Sequence, residues 1–357
     1  VSRHGKDRAA CRNHDRNLRI KLFFSASGLT KGDFAFTEVP VFTVMPEFSI
    51  IIPNWNGAAF LQRCLSATVL SAQATGKPFE IIVVDDASTD GSADGIEDRW
   101  PNTRLLRNSR NLGFGASVNR GIEAARASIV VLFNNDLSPR EQMVGELIAP
   151  LATKSDIFAV SGRTIDWYTG EPNHVNMLVK LFQGQMRLAY EDSRDVSETM
   201  FFQGGSCAVR RKEFLEFGGF APIFHPGYWE DYDLAYLAWK AGWRNIYNPH
   251  AVGLHVGQGS MKRAYGAQRI KEIKMRNALL FQWLNFSDPQ FIRAACSPIP
   301  TKLASYVREG RKSEWTGTWQ AIARFPQLYK LREKRKKWWK RTDAEIFAKF
   351  ENRGILC

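Results

Sequence analysis

The chain has 357 residues, 44% of them hydrophobic, which is enough to bury a sizeable core and excludes a disordered polymer. A net charge of +13 points to an anionic partner or surface. Five scattered cysteines (Cys11, Cys64, Cys207, Cys296 and Cys357) with no Cys-x-x-Cys pair argue against a disulfide framework or a zinc site and suit a reducing compartment.

Residues 1–47 read as an N-terminal extension, in which Arg19–Phe24 and Phe34–Val39 have the composition of a β-hairpin. Phe48–Pro53 predicts a first buried strand that opens into Asn54-Trp55-Asn56-Gly57. A helix follows to about Ala74, with Leu61, Cys64, Leu65, Thr68 and Val69 on one face. Phe79–Val84 is a second strand ending on Asp85-Asp86, and a short helix then runs to Trp100. Arg104–Arg107 is a third strand, and a loop through Asn111 and Gly113 leads into a helix bearing Ala116, Asn119, Ile122 and Ala125. Ser128–Asp136 is an apolar, β-branched run that ends in two amides and a carboxylate. Such a strand delivers Asp136 to the carboxyl edge of a sheet, where open α/β folds bind ligands. Pro139 is expected to start the next helix, with Met143, Leu147 and Leu151 on one face, and Ile157–Val160 is one more strand. This alternation predicts an α/β fold with a mostly parallel sheet and helices on both faces.

From Gly162 to Met200 the periodicity fades, which predicts a variable loop region. Phe201–Val209 reads as a strand, Arg210–Phe217 as a helix, and Glu230 opens a helix through Lys240. Asn245–Pro249 and Ala251–His255 read as two short strands, and helices are expected from Ala264 to Leu284. Residues 286–357 form a basic extension, where Lys330–Arg341 with Trp338 and Trp339 suits an anionic membrane surface as well as a solvated helix face. No apolar run approaches the roughly 20 residues that span a bilayer, and there is no signal-peptide pattern. The chain begins at Val1, as a fragment or processed product would.

Three carboxylate clusters end elements on what should be one edge of the sheet: Asp85/Asp86, Asp136, and Glu230/Asp231/Asp233. Acids gathered in a basic protein suit a divalent cation with a diphosphate. There is no Walker loop, and Gly113-Phe-Gly115 lacks the third glycine of a dinucleotide fingerprint. For single residues the bland reading stays open. Asp90 suits a turn or cap, Asp233 a helix cap, and His255 either a core histidine or a ligand.

The segments Ile51–Gly57, Val84–Ser92, Asn111–Asn119, Phe133–Asp136, Arg211–Phe220, Glu230–Leu234, Ala241–Trp243 and His255, in this order, resemble the family 2 inverting glycosyltransferases of GT-A fold, and most of all their bacterial rhamnosyltransferase-like branch. The resemblance implies a GT-A domain over 48–285, with 48–160 the nucleotide-binding half and 161–285 the acceptor half, followed by a helical C-terminal extension. It implies that Pro53, Asn54, Trp55, Asn56, Asp85, Asp86, Asn111, Gly113, Asn135 and Glu230 bind the nucleotide sugar. Asp136 and His255 would hold Mg²⁺ or Mn²⁺, and Asp231 would be the general base. A dTDP- or UDP-sugar donor and a glycan or polyprenyl-linked acceptor are implied, in the cytoplasm at the inner face of the membrane, with no nucleic acid. Three departures are visible: a single acid in Asn134-Asn135-Asp136, Leu237 where the family often has Arg, and Ala221 where an acid is common. They leave one alternative, a catalytically degenerate nucleotide-sugar-binding scaffold of the same fold.

Overall fold

The strand at Phe48–Asn54 (β1) alternates as a buried strand must, with Phe48, Ile50 and Ile52 in one apolar cluster and Ile51 in another on the opposite face. Both faces are apolar because helices cover both. The computed structural model describes residues 45–182, 185–257, 260–351, 353 and 355–356. The expected hairpin in the N-terminal extension, with Cys11, and also Cys357, lie outside these. The described residues form one compact unit.

After β1 come α1 (Leu61–Gln73), β2 (Phe79–Asp85), α2 (Ile96–Arg99), β3 (Thr103–Arg107), α3 (Phe114–Ala124) and β4 (Ile129–Phe133). Then follow β5 (Leu137–Pro139), α4 (Met143–Thr153), β6 (Ile157–Asp166), β7 (Pro172–His174), β8 (Asn176–Phe182), β9 (Gln185–Glu191) and β10 (Ser197–Glu198). The next elements are β11 (Ser206–Arg210), α5 (Arg211–Glu216), α6 (Glu230–Lys240), β12 (Arg244–His255) and α7 (Ser260–Asn285). The chain closes with α8 (Pro289–Cys296), α9 (Ile299–Arg308), α10 (Lys312–Ala323), α11 (Phe325–Arg335), α12 (Asp343–Ala348) and β13 (Ile355–Leu356).

The main sheet runs β3-β2-β1-β4-β11-β6-β12-β10. Its first four strands are parallel, β11 runs antiparallel to both its neighbours, and β12 is parallel to β6. The order therefore reverses between β1 and β4, which opens a crevice at their carboxyl ends.

Three expectations need correction. Pro139 ends strand β5 instead of starting a helix, because Leu137–Pro139 pairs with Gly253–His255 of β12 and the helix waits until Met143. The stretch 162–200 is not loop: β6 extends to Asp166, and β8 and β9 form a hairpin whose Met177, Leu178, Val179 and Ala189 are buried in the core. The two short strands near 250 are one strand, β12, interrupted by a bulge between Asn248 and Val252.

The basic tail is folded onto this core. Arg335 of α11 makes a bidentate pair with Asp233 of α6, and both are buried. Lys240, at the other end of α6, meets Asp343 at 2.8 Å with both side chains fully buried. Asp343 also accepts from Tyr236 Oη and from the backbone N–H groups of Ser287 and Asp288. Trp338 and Trp339, expected at a surface, pack instead against the core, and the Lys240 ammonium lies over the Trp339 ring. Lys330, Lys334, Lys336, Lys337 and Lys340 stay exposed.

Candidate active site

Three loops leave the crevice: one after β1, one after β2 and one after β4. Asn54 joins all three. Its Nδ2 faces Asp85 Oδ1 at 3.0 Å, Ser88 Oγ at 3.2 Å and Ser92 Oγ at 2.9 Å, and its Oδ1 accepts from Asn135 Nδ2 at 2.8 Å. Any side chain at Gly57 would collide with Asn54 and Asn135, so the close approach of these loops requires glycine there. Asp90 is a loop brace, accepting from Ala58 N and Ser92 N. Those bonds hold its carboxyl below the usual range despite some desolvation.

Asp85 and Asp86 differ in environment. Asp85 is buried beneath the loop, bonded to Asn54 and Ser88, with Arg107 at 3.8 Å. Asp86 accepts from Asn108 Nδ2, Leu112 N and Gly113 N at 2.7–2.8 Å, and so draws the 108–113 loop to the crevice. Gly113 sits at φ 86°, a conformation that suits glycine.

At the end of β4, Asp136 Oδ1 lies 3.1 Å from His255 Nε2, and Asn134 Nδ2 lies 3.4 Å from the same nitrogen. The β5–β12 pairing places His255 here by setting it opposite Leu137. His174 packs against His255 with ring centroids 5.8 Å apart, and burial pushes its pKa down to about 4, so it is neutral. Two donors bound to one small cation at about 2.1 Å each stand about 3 Å apart, so the Asp136–His255 pair fits a divalent ion. The buried His255 Nδ1 has no hydrogen-bond partner. Among the described residues no third His, Cys, Asp or Glu joins them. An ion held here would take its remaining ligands from solvent or substrate oxygens.

Glu230 and Asp231 open α6 after a turn in which Tyr228 (φ 71°) and Trp229 (φ 77°) are both left-handed. That conformation costs about 1–2 kcal/mol per residue for L side chains. Asn277 of α7 is fully buried and holds the turn, its Nδ2 facing the carbonyls of Phe224, Gly227 and Tyr228 at 2.8–2.9 Å. Asp231 Oδ2 accepts from Gly204 N at 3.0 Å, while Oδ1 accepts from Tyr232 N. Burial outweighs these bonds and raises its pKa to about 6. Glu230 is raised further, by burial and then by the Asp231 charge, and its Oε2 has no partner. A carboxyl poised near neutrality beside a second acid is suited to general-base work.

These elements line one cleft of about 950 Å³. Its walls include Pro53, Asn54, Trp55, Asp86, Asn111, Gly113, Asn135, Asp136, Glu230, Asp231 and His255. Asn56 and Asp85 lie outside the lining. Asn56 instead accepts from Thr89 N and donates its own N–H to Ser88 Oγ. Sequence reasoning missed Asn277 and Gly204, which position the acids, and the rim formed by Tyr265, Lys271, Lys274, Arg311 and Glu314. No local motif marks them, because they act across elements distant in sequence.

The layered sheet and its edge crevice define a GT-A glycosyltransferase fold. The structure of GalNAc-T7 with UDP, GalNAc and Mn²⁺ is similar, with a TM-score of 0.53 at 15% identity, over 67% of this chain and 49% of that one. S. aureus TarS 1–349 with UDP-GlcNAc gives a TM-score of 0.54 at 14% identity, over 86% of this chain and 93% of that one. Residues 49–218 match the model for glycosyl transferase family 2. The chain is also similar to the N-acetylglucosaminyl-diphospho-decaprenol L-rhamnosyltransferase of Mycobacterium tuberculosis, at 28% identity over 233 residues, 58% of this chain and 75% of that protein.

Proposed function

We propose that this glycosyltransferase moves a sugar, with inversion, from a nucleoside-diphosphate donor to a polyprenyl-linked glycan, and that the sugar is L-rhamnose from a dTDP donor. The shared cleft carries this reading, because Asp231 on one wall and the Asp136–His255 pair on another face one space large enough for a nucleotide sugar. The mycobacterial relative supports rhamnose and a lipid-linked acceptor by its name. The acids of the site and the excess of positive charge suit transfer in cell-wall or surface polysaccharide synthesis at a membrane.

Asp231 takes the proton from the acceptor hydroxyl as that oxygen forms its bond to the anomeric carbon. The bond from that carbon to the diphosphate oxygen breaks on the opposite face, which inverts the centre. No covalent sugar–enzyme intermediate is needed. Mg²⁺ or Mn²⁺ held by Asp136 and His255 would supply Lewis-acid stabilisation of the departing diphosphate. Asn135, Asp86 and the backbone around Pro53–Trp55 orient the donor, and Asp85 acts from below through Asn54. Lys274 and Arg311 line the same cleft and supply positive charge that suits an anionic acceptor.

The experiment is a panel of nucleotide sugars with a polyprenyl-diphosphate-linked acceptor, read as nucleoside diphosphate released and product formed. Transfer by the unchanged chain, lost in Asp231→Asn while donor still binds, supports the reading. Donor binding with no transfer to any acceptor, unchanged in Asp231→Asn, identifies a nucleotide-sugar-binding scaffold instead.

A further inference from the structure

Nine large hydrophobic side chains stand exposed among the described residues, and five of them fall on three consecutive helices: Val307, Trp315, Trp319, Phe325 and Tyr329. Trp315 and Trp319 are one helical turn apart and meet edge to face at 6.1 Å. Phe325 and Tyr329 repeat that spacing on α11. The other side of α10 is committed inward, with Glu314, Gly317, Thr318 and Ala321 buried. A side chain at Gly317 would press into the Glu272 carbonyl and Met275 of α7, so α10 sits hard against that helix. The aromatic face is therefore held rigidly outward.

We propose that this face of α9–α11 docks on an anionic lipid bilayer. Tryptophan and tyrosine favour the boundary between water and hydrocarbon. The exposed charges on these helices are mostly positive: Arg308, Lys312, Lys330 and Lys334 outnumber the exposed acids Glu309 and Glu333, which pair with Arg308 and Lys336, while Glu314 is buried between Lys271 and Arg311. Such a basic surround complements acidic headgroups, whereas two copies of the face would set like charges against each other. Among the described residues no helix is long and apolar enough to cross a membrane, so these helices lie on the surface. Arg311, the residue before α10, and Glu314 line the cleft, next in sequence to the tryptophan face. Docking thus brings the cleft rim to headgroup level.

The test is co-sedimentation of the full chain with phosphatidylcholine vesicles, with and without phosphatidylglycerol. Binding to the phosphatidylglycerol vesicles is expected, weaker at high salt. The pair Trp315→Ser with Trp319→Ser should reduce it at least about tenfold. Lys312→Gln and Lys330→Gln should each reduce it about fivefold. Tyr168→Ser, at an exposed aromatic outside this face, should leave it unchanged, and all variants should keep the original melting temperature. A chain that stays in the supernatant overturns the proposal. So does a tryptophan pair variant that binds like the original, or one that turns a dimer into a monomer on gel filtration. Vesicle binding is read without donor or acceptor, so it stands or falls separately from the sugar transfer.

Discussion

Arg335 places two guanidinium nitrogens on the two carboxylate oxygens of Asp233, at 2.7 and 2.8 Å, two residues past Asp231. The pair links the last third of the chain to the helix that carries the acids. Asn285 Nδ2 adds a third bond to the same carboxylate at 2.8 Å. Asp233 is thus a structural anchor that keeps α6 in register.

Removing one partner of such a pair leaves a buried charge alone. Arg335→Met should destabilise the chain by about 3–5 kcal/mol, and adding Asp233→Asn should recover most of that loss. Urea unfolding of the single and double variants, with the coupling taken from the cycle, checks this.

Asp231 gives a pH signature with a definite sign. Its pKa is raised to about 6 from an ordinary 3.8, so between these values the unfolded chain releases the proton first. Stability therefore falls as pH rises through that window, and Glu230 adds to it in the same direction. Asp231→Asn should stabilise the protein at pH 7 by on the order of 2 kcal/mol and have little effect below about pH 4. Denaturant titrations at the two pH values read this.

Activity should run the other way. A base must be ionised, so kcat/KM should rise with pH and level off above a midpoint near 6. Asp231→Asn should lower kcat by about 10²–10⁴. A pH-rate profile of the unchanged chain that stays flat from pH 5 to 8 would contradict the assignment.

Asn277→Ala should free the left-handed turn at Tyr228 and Trp229 while leaving both acids in the sequence. Leaving buried carbonyls unpaired costs about 1–3 kcal/mol, so the melting temperature should drop. With the acids misaligned, kcat should fall more than donor affinity does, and a nucleotide-binding titration beside the rate separates the two.

His255→Ala should weaken Mn²⁺ binding about 10–100-fold when measured with a nucleoside diphosphate present, by calorimetry or by the Mn²⁺ spin-resonance signal. Asp136→Asn should weaken it further, since Asp136 supplies the carboxylate that faces His255 Nε2 at 3.1 Å. Equal affinity in all three chains would rule out the pair as a metal site.

Much of the frame was legible. The strands between Phe48 and Phe133 are short apolar runs ending in polar loops, and a central strand ending on Asp136 follows from that pattern. What escaped is tertiary. Pro139 suits a helix start, but pairing with β12 claimed it first. β8 buries Met177, Leu178 and Val179 in succession, on both of its faces, but this apolar run between Asn176 and Lys180 is too short to stand out in the sequence. Asp85 and Asp86 are adjacent, and only the fold turns one beneath the loop and the other to the cleft. Asp233 has the look of a helix-start acid, and nothing nearby announces a partner 102 residues later.

Asn54 has four neighbours and one short amide to serve them. Its hydrogens are shared among oxygens on the β2 loop, while its own oxygen answers to Asn135, the residue before Asp136. A nucleotide that displaces the serines of that loop changes what Asn54 can offer Asn135. In the proposed donor complex, a contact on that loop would thereby be felt at Asn135 through a single side chain.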